Sequence, residues 1–344
     1  MSATERNIHL GVLGASLAVC IWVFGARPRS AEPATHRGTR SLAAAERSAL
    51  SLIPAGAAFT LSVDVRALSR APLGAFIAER LGRSAGASKL IHTCGFDPLM
   101  RLEQLALAIP SANLDGQARP DFGVIATGRF SGAEITRCAR TAIHARGGEA
   151  IETQLGSFDS VRDATASGGE IAAKDGLVVV SGGSYFRELL DSAEGKHTRP
   201  ALSDPRSRQH ADLRRALGPG ALLVSWLLGD GWFERFAGGG TNARLSPLSA
   251  LERLGARVNV AETAQLLLLL ECADSDSAAR IATLLSELRS SLGTLALDPT
   301  LAAIAQRITV KQTDARLRLE LELNPTELTP VLDALDPQSS AAAP

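Results

Sequence analysis

Residues 316–323 read RLRLELEL, with a leucine at every second position and a charged side chain at each position between. Successive side chains of a β-strand point to opposite faces of the sheet, so this pattern predicts a strand with one apolar and one charged face. Asn324-Pro325-Thr326-Glu327 follows directly. An asparagine N-cap and a proline in the first turn are signals of a helix start. The stretch therefore predicts a strand followed by a capped helix.

The same order of elements is predicted twice along the chain. In the second half, the all-leucine run 266–270 predicts a strand covered on both faces, and a helix is expected from about Ser275. In the first half, Ser131-Gly132-Ala133-Glu134 is a capping box that predicts the matching helix. The two helix starts lie 275 − 131 = 144 residues apart, and the final helices, at 184 and 325, lie 325 − 184 = 141 residues apart. We therefore predict an α+β fold made of two tandem, similar strand–helix–strand–strand–helix units with mainly antiparallel sheets.

These signals divide the chain into seven segments. The predicted segments are an N-terminal tail (1–9), an apolar segment (10–26), a polar linker (27–49), α+β unit 1 (50–193), a linker (194–219), α+β unit 2 (220–336) and a disordered tail (337–344). Hydrophobic periodicity predicts strands at 58–65, 102–109, 122–130, 150–162, 170–180, 221–228, 256–262, 264–272, 304–312 and 315–323, with further helical stretches near 72, 232–236 and 247–254.

The apolar segment 10–26, LGVLGASLAVCIWVFGA, directs the chain to a membrane. Its 17 uncharged residues are at the lower edge for a transmembrane helix and just beyond the usual core of a signal peptide. Phe24 and Arg29 spoil the alignments that a signal peptidase requires, which favours an uncleaved, single-pass signal-anchor. Residues 17–20, LAVC, resemble a lipoprotein box, but Val19 stands where a small residue is needed, so lipidation at Cys20 is the less favoured alternative.

The sequence carries conflicting signals on the side of the membrane where the body lies. The positive-inside rule counts four arginines after the segment against Arg6 before it, which would keep the body in the cytoplasm. A short tail ahead of a first apolar segment is the usual layout of an export signal, and long domains translocate largely regardless of charge. We expect the exported orientation, with the body in the periplasm or outside the cell.

The overall charge argues against nucleic acid as a partner. Lys plus Arg number 36 and Asp plus Glu also number 36, so the chain has no net field to attract a polyanion. We expect contact with the membrane only through the N-terminal segment.

The cysteines lie at positions 20, 94, 138 and 272, and no C-x-x-C pair is present. This spacing excludes a zinc ribbon and a thioredoxin motif. If the body lies outside the cytoplasm, Cys94 and Cys138 could form a disulfide that ties the segment HTCGFDP to the capped helix. The alternative is that Cys138 is a small core residue on the apolar helix face. Cys272 stays unpaired in both cases.

Three aromatic residues flank a glycine-rich stretch in residues 229–240, GDGWFERFAGGG. Trp232, Phe233 and Phe236 could form a binding edge beside a loop. The alternative, which the pattern favours, is that they pack a short helix into the core.

Catalytic, cofactor and metal-binding motifs are absent from the sequence: there is no H-E-x-x-H, no phosphate loop and no G-x-S-x-G elbow. We therefore expect no enzyme activity, no cofactor and no metal. One alternative is a hydrolase-type enzyme whose site is assembled from scattered residues such as Asp64, Asp97 and Arg129. Another is a purely structural spacer domain.

Three stretches carry a resemblance to a known family: IPAGAAFTLSVDVRALSRAPLGAF (53–76), CGFDPLMRLEQLALAIP (94–110) and FGVIATGRFSG (122–132). They resemble envelope proteins of high-GC proteobacteria whose activity is not known, over about residues 52–190. Ala71-Pro72 and Thr127-Gly128-Arg129 depart from the pattern of that family. The resemblance implies export or membrane attachment. The leading hypothesis is a non-catalytic, membrane-anchored envelope protein whose duplicated body binds another protein or an apolar ligand.

Overall fold

The computed structural model describes residues 48–82, 91–97, 99–110, 121–164, 169–196, 204–237, 243–292 and 299–335. The predicted N-terminal tail, apolar segment and C-terminal tail lie outside these residues, as does nearly all of the polar linker. Within the described ranges, no helix combines the length and the apolar character needed to cross a membrane.

The chain has a mixed α+β fold with mainly antiparallel strands, which confirms the predicted class. It divides into two compact units. Of the described residues, those up to Arg70 and those from Gly74 to Ala211 form the N-terminal unit. Ala71 to Leu73 and the residues from Asp212 onward form the C-terminal unit.

The N-terminal unit contains a sheet whose strands lie in the order β1-β2-β3-β7-β6-β5-β4. Short 3₁₀ helices at Ala49–Leu52 and Leu99–Arg101 precede β1 and β2. Helix α2 begins in residues that belong to the C-terminal unit. The elements are β1 (Ala57–Asp64), α1 (Val65–Arg70), α2 (Pro72–Gly82), β2 (Leu102–Pro110), β3 (Gly123–Gly128), α3 (Gly132–Ala145), β4 (Ala150–Leu155), β5 (Phe158–Asp163), β6 (Glu170–Lys174), β7 (Leu177–Ser181) and α4 (Tyr185–Ala193).

Helix α3 begins at the predicted capping box. The Ser131 hydroxyl accepts a hydrogen bond from the Glu134 amide at 3.2 Å, and the Glu134 carboxylate accepts one from the Ser131 amide at 3.0 Å. These two bonds satisfy amides that the first helical turn leaves free. Ala139 and Ile143 on the inner face of the helix pack against Val161 of β5.

Two predicted strands of this unit are hairpins. The stretch predicted as one strand at 150–162 turns at Gly156, and the stretch predicted at 170–180 turns at Gly176. Both glycines have positive φ, +62° and +76°, which residues with a Cβ rarely adopt. Each turn contains only two residues, so the alternating pattern runs through it and hides the reversal.

The core of the N-terminal unit lies between the sheet and helix α4. It includes Ile125 of β3, Phe158 of β5, Val179 of β7, and Tyr185 and Leu189 of α4. Each of these side chains is at most 2% exposed. The hydroxyl of Tyr185 is buried with them and finds no hydrogen-bond partner among the described residues.

In the C-terminal unit, the antiparallel strands lie in the order β11-β12-β10-β9-β8. Helix α5 begins in residues of the N-terminal unit, and a 3₁₀ helix at Ala243–Ala250 precedes β9. The elements are α5 (Pro205–Leu217), β8 (Leu222–Leu227), α6 (Trp232–Ala237), β9 (Leu251–Val260), β10 (Ala264–Cys272), α7 (Ser275–Leu292), α8 (Pro299–Gln306), β11 (Thr309–Thr313), β12 (Arg316–Leu323) and α9 (Pro325–Leu335).

The segment predicted as a linker at 194–219 contains helix α5. Asp204 caps it by accepting a hydrogen bond from the Ser207 amide at 2.8 Å, and Pro205 occupies its first turn. Leu213 and Leu217 lie one turn apart and are at most 1% exposed, packed in the core of the C-terminal unit. The many charges in this segment predicted a solvated connector, but they cover only the outer side of the helix.

Two further predictions in the C-terminal unit differ from the structure. The first part of the predicted strand 304–312 belongs to helix α8, and only its second part pairs as β11. The helix predicted at 247–254 is a 3₁₀ helix that ends at Ala250. Strand β9 begins at the next residue, Leu251. Apolar stretches this short fit a strand and a helix about equally well, so tertiary packing decides between them.

The stretch RLRLELEL forms β12 as predicted. Leu317 and Leu323 are at most 1% exposed, and Leu317 packs with Ile281 of α7 and Leu270 of β10. The opposite face carries ion pairs. Glu271 of β10 is 4% exposed and lies between two arginines of the neighbouring strands, Arg253 of β9 and Arg316 of β12, with nitrogen–oxygen distances of 2.7 Å to both.

Candidate functional site

The candidate site is an open groove of about 680 Å³ in the C-terminal unit, at the end of the sheet where β12 leads into α9. We call it the β12–α9 groove. It is lined by Arg257, Thr263, Gln265, Leu266, Leu267, Arg307, Thr309, Glu320, Leu321, Glu322, Asn324 and Glu327.

The wall of the groove at α9 is built by the predicted helix cap. The Asn324 side-chain oxygen accepts a hydrogen bond from the Glu327 amide, and the Glu327 carboxylate accepts one from the Asn324 amide, each at 3.0 Å. This reciprocal pair fixes the first turn of α9 and holds the Glu327 carboxylate at the edge of the groove.

Arg307, which follows α8, connects that cap to the last residues of β12. Its guanidinium donates to the Glu322 backbone carbonyl at 2.8 Å and to the Glu327 carboxylate at 2.9 Å. The Asn324 backbone amide and then Arg307 lower the pKa of Glu327. At neutral pH, the groove therefore presents an ionised carboxylate that is already paired.

Arg257 of β9 lies on another wall of the groove. Its Nη1 atom donates to the Leu217 backbone carbonyl at 2.6 Å, whereas its buried Nε finds no hydrogen-bond partner among the described residues. The stem of the side chain passes over Gly220. A Cβ added at that glycine would lie 2.5 Å from Arg257 Cγ, so any larger residue there would displace the arginine.

The remaining carboxylates of the groove also have partners. Glu322 accepts a hydrogen bond from the Thr263 hydroxyl at 2.8 Å, and Glu320 lies 2.7 Å from Arg318 and 3.5 Å from Lys311. Arg318, followed by Lys311, lowers the pKa of Glu320. The lowered pKa values of Glu320 and Glu327 keep both side chains ionised at neutral pH, so each can accept hydrogen bonds and pair with cations.

The structure pairs Cys94 and Cys138 in a disulfide, with their Cα atoms 4.5 Å apart. The bond ties the segment before the 3₁₀ helix Leu99–Arg101 to helix α3. These are the two segments that the sequence analysis considered for a disulfide. Cys272 is free and buried, and its burial raises the pKa of its thiol to about 11.

The predicted aromatic edge is largely core in the structure. The Trp232 indole N–H donates to the Leu251 carbonyl at 3.0 Å, and its ring packs against the core of the C-terminal unit. Phe233 is 5% exposed and meets Trp232 edge to face, with ring centroids 5.7 Å apart. The side chain of Phe236 lies outside the described part of the chain. Trp232 and Phe233 therefore pack in the core, as the alternative favoured by the sequence pattern predicted, and do not form an exposed binding edge.

Asp64, Asp97 and Arg129 each serve a local structural contact. Asp64 accepts a hydrogen bond from the Ala67 amide at 2.8 Å in the first turn of α1, and Asp97 accepts one from the Met100 amide at 3.4 Å. Arg129 Nε lies 3.8 Å from the Glu103 carboxylate. In the described ranges, no three His, Cys, Asp or Glu side chains group as metal ligands would.

The β12–α9 groove was not identified as a site from the sequence. Part of the groove could be found from the sequence, because the alternation of β12 and the cap of α9 predicted the positions of Glu320, Glu322 and Glu327. Arg257 and Arg307 join them only through strand pairing and the turn after α8, which residue spacing does not reveal.

No protein-family model and no curated protein matches the sequence. Two solved structures similar to the chain are crystal forms III and IV of TP0453. Form III has a TM-score of 0.48 at 12% identity and covers 84% of this chain and 99% of its own chain. Form IV has a TM-score of 0.42 at 13% identity and covers 82% of this chain and 95% of its own. Similarity at this level leaves the function of the chain open.

Proposed function

We propose that the chain is a membrane-anchored envelope protein that acts by binding a protein partner, with the β12–α9 groove as the contact site. The observation that carries this proposal is that three carboxylates of the groove already have hydrogen-bonding partners. Arg307 holds Glu327, Thr263 holds Glu322, and Arg318 holds Glu320. A groove whose charges are already oriented loses little side-chain entropy when a partner docks.

The composition of the groove favours a protein over an apolar ligand. Of the lining residues, only Leu266, Leu267 and Leu321 are apolar. Small-molecule sites are mostly apolar with a few convergent polar groups, whereas protein interfaces mix arginine, hydrogen-bonding groups and some apolar contact. The partner we infer has a polar segment that carries both donors and acceptors.

The Cys94–Cys138 disulfide supports a body outside the cytoplasm. Disulfides persist in the periplasm and outside the cell and are rare where thiols are kept reduced. The bond links parts of the N-terminal unit that are 44 residues apart in sequence. This agrees with the exported orientation that we expect for the anchor at 10–26.

We further infer that the two units are copies of one fold unit, and the strand orders support this. The series β1-β2-β3-β7-β6 in one unit has the same connections as β8-β9-β10-β12-β11 in the other. Helices α3 and α7 each follow the third strand of their series, and α4 and α9 each follow the fourth. The strands β5 and β4 extend the N-terminal series beyond this common pattern.

The proposal is tested by cross-linking in intact cells, with two matched arginine substitutions on β11. Thr309 lines the groove, whereas Thr313, at the other end of the same strand, does not. We expect the wild-type chain and Thr313→Arg to capture the same protein, identified by mass spectrometry, and Thr309→Arg to lose most of that capture. Equal capture by both variants would place the contact elsewhere. Failure of the wild-type chain to capture any protein would overturn the binding function.

A further inference from the structure

Strand β4 is the last strand of the N-terminal sheet. Among the described strands, it pairs only with β5, so one row of its backbone N–H and C=O groups is unpaired there. The side chains of Glu152, Thr153 and Gln154 are exposed. An open strand edge is a template for pairing with another strand.

This edge lacks the features that usually prevent pairing. Residues 150–155 include no lysine and no proline, and they pair with β5 without a bulge. The charge of Glu152 is compensated within the same unit, because Arg140 of α3 donates to its carboxylate at 2.6 Å. By contrast, β11, the edge strand of the C-terminal sheet, carries Lys311.

The turn after β4 determines which of its backbone groups point outward. Leu155 and Phe158 close a turn of two residues, so Leu155 bonds inward to β5. Backbone groups alternate along an antiparallel strand, and Thr153 therefore also bonds inward. The backbone groups of Glu152 and Gln154 then point outward, where a further strand would pair.

The side chains of β4 are complementary to those of a second, antiparallel copy of β4 when the two strands are centred on Thr153. With Thr153 on a two-fold axis, an antiparallel second β4 places Gln154 opposite Glu152 on one face. On the other face it places Leu155 opposite Ile151. The Gln154 amide is then positioned to donate to the Glu152 carboxylate, and the two leucine–isoleucine pairs extend the apolar face that Leu155 already covers.

The two neighbouring symmetric registers, with the axis moved by one residue in either direction, are less favourable. An axis through Glu152 sets two like charges directly opposite each other, which is destabilising. An axis through Gln154 places Glu152 opposite Gly156, in the turn, and shortens the paired stretch. We propose that the chain forms a homodimer in which β4 pairs antiparallel with β4 of a second copy, with Thr153 on the two-fold axis.

The dimer is reversible and depends on concentration. Contact along one strand of six residues is small compared with a stable protein interface, which usually buries about 1,200–2,000 Å². Anchoring in a membrane would raise the local concentration of the chain and favour pairing. The edge pairing is independent of the β12–α9 groove and of its partner.

The first test uses single cysteine substitutions in the full-length chain. Thr153→Cys places two introduced thiols at a directly opposed, non-hydrogen-bonded pair, where Cα atoms are about 4.5 Å apart and a disulfide forms readily. Gln154→Cys is the matched control, because in this register its two copies are diagonal neighbours about 7–8 Å apart, at or beyond the disulfide limit. Under mild oxidation we expect a reducible dimer for Thr153→Cys at a yield about tenfold above that of Gln154→Cys. Equal cross-linking of both variants, or none for Thr153→Cys, would overturn the register.

The second test uses charge at the axis and analytical ultracentrifugation over a range of concentrations. Thr153→Lys and Thr153→Glu each place like charges opposite each other, so each alone should raise the dimer dissociation constant up to about fivefold. An equimolar mixture of the two should restore dimerisation, since lysine then faces glutamate. A wild-type chain that stays monomeric at all concentrations would overturn the proposal. So would single variants that dimerise as strongly as the wild type, because another surface would then hold the dimer.

Discussion

Replacing Tyr185 by phenylalanine should stabilise the protein. The Tyr185 ring is 2% exposed and packs in the core of the N-terminal unit, and its hydroxyl has no hydrogen-bond partner among the described residues. A buried polar group without a partner costs about 1–3 kcal/mol relative to water. Tyr185→Phe removes that oxygen and keeps the ring, so we expect the free energy of unfolding to rise by about 1 kcal/mol.

The measurement is urea denaturation followed by far-ultraviolet circular dichroism, with a shift of the midpoint at constant slope. Ser181→Ala is the matched control, because it also removes a fully buried hydroxyl from this unit. The Ser181 hydroxyl donates to the Phe122 carbonyl at 2.5 Å, so its loss should lower stability by about 1 kcal/mol. Opposite signs for the two variants are the expected result. A loss of 1 kcal/mol or more in Tyr185→Phe would refute the reasoning, since it would mean that the hydroxyl is satisfied.

The same residue gives a dependence on alkaline pH. Burial raises the pKa of Tyr185 well above its ordinary value of about 10. Above pH 10 the unfolded chain releases the phenol proton while the folded chain retains it, so the wild type loses stability as pH rises. Tyr185→Phe lacks this loss, and its advantage should grow above pH 10. Tyr185 is the only tyrosine in the chain, so absorbance titration reports its ionisation directly.

Four further predictions follow from other parts of the structure. Leu317→Ala should destabilise the protein by about 2–5 kcal/mol in urea denaturation, because Leu317 is fully buried against α7, whereas Leu319→Ala, at a half-buried position of the same strand, should cost less. Cys138→Ser should lower stability by about 4 kcal/mol, the chain-entropy contribution of a 44-residue loop, and peptide mass spectrometry without reductant should recover Cys94 joined to Cys138. Lys196, followed by the Ser157 amide, lowers the pKa of Glu194 to about 2. The stability that Glu194 contributes is therefore present above pH 4.5 and is lost as the pH falls towards 2. Thermal denaturation over a series of pH values should show that Glu194→Gln lacks this acid-dependent loss. A reporter enzyme that is active only outside the cytoplasm should be active when fused after residue 60.

Each of these expectations has an outcome that would contradict it. Equal costs for Leu317→Ala and Leu319→Ala would contradict the packing of β12 on α7. Alkylation of Cys94 in the native, non-reduced protein would exclude the disulfide. An acid profile of Glu194→Gln identical to that of the wild type would remove the role of Glu194, and a silent fusion would reverse the orientation.

Features written in contiguous residues were predicted well. The alternation of 316–323 is the strand β12, and the caps at Ser131 and Asn324 begin helices α3 and α9. Each cap joins residues three positions apart, Ser131 with Glu134 and Asn324 with Glu327, so the chemistry of a short stretch determines where the helix begins. The partners of β12 are distant, but its alternation of apolar and charged residues lies within eight contiguous positions.

Errors arose where the decisive contact was distant or the local pattern was ambiguous. Helix α5 was predicted as a linker because its charges dominate the composition, whereas Leu213 and Leu217 are buried by strands that come later in the chain. The turns at Gly156 and Gly176 were missed because the alternation continues through them. The groove was not predicted because its contacts join residues that are distant in sequence. Arg257 meets Leu217 and Arg307 meets Glu327 only after the sheet has formed.

The buried carboxylate of Glu271 adds a constraint on how β10 aligns with its neighbours β9 and β12. An all-leucine run such as 266–270 packs almost equally well if it slides along its neighbours, because every position offers the same side chain. A slip of one residue would move Glu271 away from Arg253 and Arg316 and leave its charge unpaired against leucine, at a cost of several kcal/mol. The ion pairs of Glu271 thus act together with the alternation of β12 to hold one alignment of the strands.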